Sequence, residues 1–521
     1  MSDTYVMAID AGTGSGRAII YDTKGRIAGL AQEEWTHPEV AGVPGGLDFV
    51  TSENGALIDR VIAASIRNAG IAPHRIAAVA ATSMREGFVL YDGEGSELWA
   101  CPNVDARASA EADELAASGA ADTIFSLAGD WVSITAPARL MWIRRHRPEI
   151  YSAARHFGMI SDWITTRLTG TYVTEPSAGS SSALFDLSTR DWSDKLLSLI
   201  ALDRSIMPPV VESGTPVGKV TAEAADRCGL AVGTPVVAGG ADTQLALLGL
   251  GRRAQQATLV GGTFWQMTML SDRPLIDPGC EPRTLCHVRP GEWMTEGIGF
   301  MTGFSLRWLR DAFFEPLRGG ASADPGSFEL MERLAASTPV GANGVIGITA
   351  KPMRSDGWEQ PPLGIVGFDM NRPGAALGSM IRAFMEAGAF LAHHHLLTLE
   401  RLAGTRFDTI QFTGGSSQGQ TWARIVADVT GRTVDIPVIK ETTALGCAML
   451  AASGAGLFGS LDEAFEAMAS PVECSIEPDR ENHEAYREIE ARWRAVTEGA
   501  FDLAEQKLLK PIWRPAGARK R

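Results

Sequence analysis

The sequence predicts an α/β protein of two domains, and three observations predict it. The 521 residues exceed what one compact core usually holds and suggest two units of roughly 200–250 residues each. Apolar residues make up 45% of the chain, enough for ordinary globular cores. Apolar strand patterns that end in glycine turns occur in both halves, interleaved with helical patterns.

The first element, Tyr5-Val-Met-Ala-Ile-Asp10, reads as a buried strand. It runs into Ala11-Gly-Thr-Gly-Ser-Gly16, and Arg17-Ala-Ile-Ile-Tyr21 follows as a second strand before the turn Asp22–Gly25. This is a hairpin meander. A Rossmann or P-loop site would instead put a helix directly after the glycines. Helical periodicity then covers Ser52–Gly70, Ala106–Gly119, Ala136–Arg147 and Ser161–Leu168, with a short strand over Ile76–Thr82. Thr234–Asp242 is an apolar strand closing on two glycines and a carboxylate, and a small-residue helix, Thr243–Gly249, follows it. The domain boundary is expected just beyond, dividing residues 1–252 from 253–521. In the second part, Ala257–Met269 again reads strand, glycine turn, strand. Thr409–Ser416 is a strand with a double glycine, leading to helices over Thr421–Thr430 and Thr443–Ala452. A charged helical pattern, Pro478–Lys507, precedes a basic tail, Arg514–Arg521, read as frayed. The likeness of the halves is one of pattern, not identity.

The formal net charge of −15 argues against nucleic acid as the main partner, which would require a basic face. It leaves phosphorylated small molecules open, because their sites use backbone N–H groups and a metal. The six cysteines show no paired spacing, so free thiols in a reducing compartment are expected. Neither a secretory leader nor an uninterrupted apolar run of about 18–20 residues is visible. The expectation is a cytoplasmic protein with no membrane partner.

Asp10-x-Gly-Thr-x-Ser-x-Arg17 is the first motif with chemistry in it. Its glycines expose backbone N–H groups to a phosphate, Thr13 and Arg17 add donors, and Asp10 suits a magnesium ion. A plain hairpin turn with a solvated aspartate fits the same residues. Gly261-Gly-Thr263 and Gly414-Gly415 are two further glycine turns, each weak alone. Together the three suggest a nucleotide clamped between two domains. Asp242 suits a general base for a hydroxyl nucleophile, although a helix N-cap is the commoner use of an aspartate in that position, and both roles can hold together. Arg85-Glu86 and Asn103-Val-Asp105-Ala-Arg107 suit a polyhydroxylated ligand, although surface ion pairs are the commoner use of such charges. His393-His-His395 resembles a metal tract, but adjacent residues of a helix point apart. The tract and the cysteines are read as non-functional.

Asp10–Arg17, Trp163–Gly170, Leu184–Trp192, Val236–Asp242, Phe412–Gly415 and Thr443–Ala448 together resemble the FGGY carbohydrate kinases, over about Tyr5 to Gly456. The resemblance implies two ribonuclease H-like domains of the actin–hexokinase type with an interdomain cleft. It implies ATP and Mg2+ as cofactors and a sugar-like acceptor held mainly by the N-terminal domain. By position it implies Asp242 as catalytic base and Asp10 beside the metal. Thr13, Arg17, Gly262 and Thr263 would line the phosphates, with Gly303 and Gly415 near the nucleotide. Arg85, Glu86, Asn103 and Trp265, with Asp242, would face the acceptor. Xylulose kinases commonly carry Met-His at the Arg85-Glu86 position, and they and glycerol kinases commonly carry Trp at Asn103. The departure fits an acceptor whose hydrated dicarbonyl wants an extra hydrogen-bonding amide. A pentulose or sugar-alcohol kinase, and a nucleotide-binding assembly protein without catalysis, stand as alternatives. The sequence leaves a homodimer open.

Overall fold

A computed structural model describes residues 4–251, 256–299, 301–314, 325–354, 360–438, 441–469 and 471–510. The expected boundary at residues 252 and 253 and the tail Arg514–Arg521 lie outside them.

The meander forms as its apolar pattern requires. Strands β1 (Tyr5–Ala11), β2 (Ser15–Asp22) and β3 (Ile27–Glu34) pair antiparallel. Alternation buries Met7, Ile9 and Ile20 on one face and Val6, Ala8 and Ile19 on the other, so this sheet needs a cover on both sides. Three more strands complete it: β4 (Ile76–Ser83), β5 (Pro216–Lys219) and β6 (Pro235–Ala241), in the order β5-β6-β4-β1-β2-β3. β1, β4 and β6 run parallel, with Asp10 opposite Thr82 and Thr82 opposite Gly240. Helix α1 (Thr51–Ala69) packs its Leu57, Ile58, Val61 and Ile62 on one face of the sheet and ends at Gly70 in the left-handed region. The helix expected from Ala106 begins only at Ser109, because Asp105 and Arg107 are engaged with Leu47 and Asp48 instead.

The second sheet repeats the plan. It is built from β7 (Ala257–Gly261), β8 (Trp265–Ser271), β9 (Arg283–Cys286), β10 (Trp293–Gly299), β11 (Thr409–Thr413), β12 (Thr433–Pro437) and β13 (Val472–Ile476). The order is β9-β10-β8-β7-β11-β12-β13, with β7 and β11 parallel. Helix α2 (Asp242–Gly249) leaves the end of β6, α3 (Thr302–Leu309) follows β10, and α4 (Ala376–Ala403) lies in the second core. α5 (Gln420–Thr430), α6 (Thr442–Gly454) and α7 (Arg480–Glu505) complete the scaffold.

Beyond the placing of His393–His395 on a helix, α4 was not expected from the sequence. Over Pro373–Ala403 it is long and apolar enough to cross a membrane by length and composition, yet 83% of its most apolar stretch is buried inside the protein. Its charges Arg382 and Glu386 pair with each other and with Tyr486. The three histidines on it diverge: His393 reaches Glu490, His394 reaches Glu281, and His395 is buried, its imidazole pushed down to about 3 by burial. All six cysteines are free.

The two sheets are not independent. α6, from the second part of the sequence, covers the face of the first sheet opposite α1, where Ala444, Leu445, Ala448 and Ala451 meet Ala8, Ile19, Tyr21 and Val237.

Candidate active site

Parallel strands bring their C-terminal ends to one edge, and in the first sheet each of three neighbouring ends carries an ionisable residue. Asp10 is the penultimate residue of β1, Arg85 and Glu86 follow β4, and Asp242 follows β6. At roughly 4.8 Å per strand, the backbones at 10 and 242 stand about 10 Å apart.

Asp10 is 2% exposed, and Arg17 on the adjacent strand donates to its Oδ2 at 2.8 Å. The other arm of Arg17 reaches Glu441, 2.5 Å away, at the start of α6. The solvated aspartate of a plain hairpin is thereby ruled out. Among the described residues, Oδ1 of Asp10 is buried without a hydrogen-bond partner. A carboxylate oxygen of this kind fits a hard cation such as magnesium, which prefers oxygen ligands. Thr13, exposed in the β1–β2 turn, and Asn103 bond to each other, with Asn103 Nδ2 donating to Thr13 Oγ1 at 3.0 Å. The residue assigned to phosphate and the amide assigned to the acceptor therefore meet at the mouth of the site.

Asp242 occupies the first helical position of α2, and its Oδ1 accepts from the Thr243 N–H at 2.6 Å. Its side chain is 37% exposed, and Nε of the buried Arg85 lies 3.6 Å from Oδ1. Burial, opposed by Arg85 and aided by the negative charges of Asp10 and Glu86, pushes Asp242 up to about 6. The strand order β6-β4-β1 puts Asp10 and Asp242 at the same edge of the sheet.

Arg85 and Glu86 look like a pair in sequence, but their closest approach is 4.0 Å. Glu86 has φ 62°, an uncommon conformation for a non-glycine residue, and its carbonyl accepts from Arg139 at 2.7 Å. Arg139, 1% exposed, also holds the carbonyls of Asn103 and Asp105, so one guanidinium fixes both loops of the pocket. Arg85 instead donates to Glu296 on β10, and Glu86 accepts from Arg283 on β9. Nothing in the sequence pattern singled out Arg139, Arg283 or Glu296.

On the second sheet, the assigned glycines converge through backbone contact. A Cβ on Gly303 would lie 2.0 Å from the Gly262 carbonyl, and one on Gly414 would lie 2.6 Å from the Gly261 carbonyl. The β7–β8 turn, the first turn of α3 and the turn after β11 are thus packed together, carrying Gly262, Thr263, Gly303 and Gly415. Trp265 is different: it is 2% exposed, packs on Phe412 and Trp422, and donates to Ser416. It packs in the second core, where strand alternation turns it inward on β8.

Residues 5–249 match the N-terminal domain of the FGGY family of carbohydrate kinases, and residues 257–455 match its C-terminal domain. The chain is similar to the autoinducer-2 kinase of Escherichia coli (strain K12), 39% identical over 99% of this chain and 98% of that protein. Among solved structures it resembles the xylulose kinase of Rhodospirillum rubrum, with TM-score 0.82 and 25% identity over 96% of this chain and 99% of that one. The glycerol kinase of Plasmodium falciparum, solved with ADP, shares the fold with TM-score 0.81 and 19% identity, over 95% and 98% of the two chains.

Proposed function

The chain belongs to the FGGY family of carbohydrate kinases and is an ATP-dependent kinase of the actin–hexokinase fold, and from that premise we propose that its acceptor is autoinducer-2, phosphorylated as its open form, 4,5-dihydroxy-2,3-pentanedione, on the C5 hydroxyl. The reaction gives the phosphorylated signal and ADP. One observation carries the assignment: the 39% identity to an autoinducer-2 kinase holds over 99% of the chain, while the xylulose kinase likeness stands at 25%.

In this reading residues 1–252 carry the acceptor and phosphate side and residues 253–521 the nucleotide side. Arg85, Glu86 and Asn103 orient the acceptor. Asp242 accepts the proton of the attacking hydroxyl as the γ-phosphoryl leaves ATP. A carboxyl raised to about 6 is ionised at neutral pH yet more basic than an ordinary aspartate, which suits that role. Backbone N–H groups of the turns at Thr13 and Gly262–Thr263, with Arg17, Gly303 and Gly415, take the nucleotide's charge. Asp10 would hold magnesium, which when bound neutralises charge on the phosphoryl oxygens. The product carries a phosphate and does not cross a membrane, so reaction in the cytoplasm would trap the signal.

The test is a comparison of kcat/KM over a small panel: the pentanedione, xylulose, ribulose, erythritol and glycerol. The pentanedione should exceed each of the others by at least about 10²-fold, as expected when buried polar groups of a pocket are left unpaired by the wrong ligand. A pentulose or polyol that equals it would replace this acceptor with a sugar or sugar alcohol.

A further inference from the structure

The two acidic and two basic residues that link the sheets have a specific arrangement. Arg283 and Glu296 stand opposite each other on β9 and β10. Glu296 is fully buried, and its Oε1 alone receives both Arg85 Nη1 at 2.6 Å and Arg283 Nε at 2.5 Å. Arg283, 4% exposed, gives its Nη1 to Glu86 at 2.7 Å and to Asp130 at 3.3 Å. Each member of the Arg85-Glu86 dipeptide is therefore paired with a residue from the second sheet, and not with its neighbour in sequence. Burial alone would raise the Glu296 carboxyl, but Arg85 and Arg283 outweigh it and hold it below the ordinary value.

We propose that Glu296 and Arg283 are positioning residues for the acceptor site. Glu296 anchors one edge of the Arg85 guanidinium so that Nε is held 3.6 Å from Asp242, short of hydrogen-bond contact, and Arg283 holds the Glu86 carboxylate away from Arg85. The pocket on the first sheet is then complete only when the second sheet is docked against it. Without Glu296, Arg85 is drawn to the two remaining carboxylates within its reach, Glu86 at 4.0 Å and Asp242 at 3.6 Å. Either pairing takes the guanidinium from the acceptor. A buried ion cluster is weak grounds for a role in stability, since its desolvation offsets its attraction. Control of side-chain geometry is the better explanation of its presence beside the base. The inference rests on reading Arg85 and Glu86 as acceptor-binding groups.

The test uses the full chain and a double-mutant cycle. Removing Arg283 would leave three buried carboxylates short of a cation and endanger folding, so Glu296→Gln, equal in shape, is the variant of choice. Steady-state kinetics use the sugar-like acceptor that the wild type turns over best. Glu296→Gln should raise the acceptor KM at least about tenfold and leave the ATP KM within about twofold, and in an Arg85→Ala background it should add less than about twofold. An unchanged acceptor KM in the folded variant, or additive effects in the double variant, overturns the proposal. A second arm does not depend on the acceptor: the Nε–Hε resonance of Arg85, in protein labelled with 15N-arginine and assigned by its loss in Arg85→Lys, should move on Glu296→Gln. If it does not move, Glu296 does not position Arg85. If the wild type phosphorylates no sugar-like acceptor, the reading of the pocket fails instead, and the resonance still decides whether Glu296 sets the arginine.

Discussion

Asp242 combines two properties that rarely coincide at a helix start. It is open enough to meet a ligand, with 37% of its side chain exposed, and its carboxyl is pushed up to about 6 by burial and by Asp10 and Glu86. A general base works only when deprotonated. With its affinity for protons raised, the base is lost as pH falls through about 6, so kcat/KM should climb with pH over that region and level above it. Asp130 is pushed up to about the same value by burial but lies behind Arg283. Asp130→Asn should therefore leave the rising limb in place. Asp242→Asn should cut kcat by about 10²–10⁴-fold while ATP affinity, read by calorimetry, stays nearly unchanged. Near-normal turnover in a folded Asp242→Asn protein would remove the base from the scheme. The residue was legible in sequence through the family motif Val236–Asp242, since its position alone fits a helix N-cap as well. Its altered proton affinity was not, since Asp10 and Glu86 approach it only through strand order. Nor were Glu296 and Arg283 legible. A buried charge on a strand carries no local signature, and its meaning comes from a partner some 200 positions away.

At the scale of elements, a glycine turn is legible as a turn, and what it touches is not. Gly303 illustrates the gap. Family resemblance implies a place near the nucleotide, and the fold shows why the residue is glycine: its missing Cβ lets α3 rest on the Gly262 carbonyl, 2.0 Å from where that atom would stand. Gly303→Ala should push the β7–β8 turn away from the start of α3. The expected result is an ATP KM raised roughly tenfold or more, as when a small misplacement disturbs bound geometry, with the acceptor KM little changed. Equal ATP KM values for variant and wild type would show that the turn does not bear on the nucleotide. Hairpins and amphipathic helices were read nearly to the residue, as α1 was, because one buried face imposes a clear period. α4 escaped because it is apolar on most sides, and a helix buried all round has no such period to detect. The setting of Trp265 was hidden for a related reason. The alternation of β8 shows that Trp265 and Gln266 face opposite ways, but the sequence does not say which way the cleft lies.

At the scale of the molecule, the decisive contact lies between helices separated by almost 200 residues of sequence. α2, which starts at Asp242, crosses α6, which starts just after the Arg17 partner Glu441. No local pattern says that α6 covers the first sheet and not the second, and two separable units were the natural expectation. The crossing is unusually close. A Cβ on Gly446 would sit 2.0 Å from the Leu245 carbonyl, and one on Gly249 would sit 2.1 Å from the Thr442 carbonyl. Backbone rests on backbone, so neither helix can shift without moving the other. The base and the Arg17–Asp10 pair are therefore set by one packing contact that includes the C-terminal half. Gly446→Ala should force the helices apart at a cost of about 1–3 kcal/mol, the usual range for overpacking. That corresponds to a melting point lower by roughly 1–3 °C when a chain of this length unfolds as one unit. The informative measurement is kcat at a temperature where the variant is still folded. If the crossing sets the position of Asp242, kcat should fall well beyond the loss of folded protein, because a base displaced by a fraction of an ångström transfers its proton poorly. If kcat per folded molecule is unchanged, the contact serves cohesion alone, and the position of Asp242 is held by β6 and by Arg85 without help from α6.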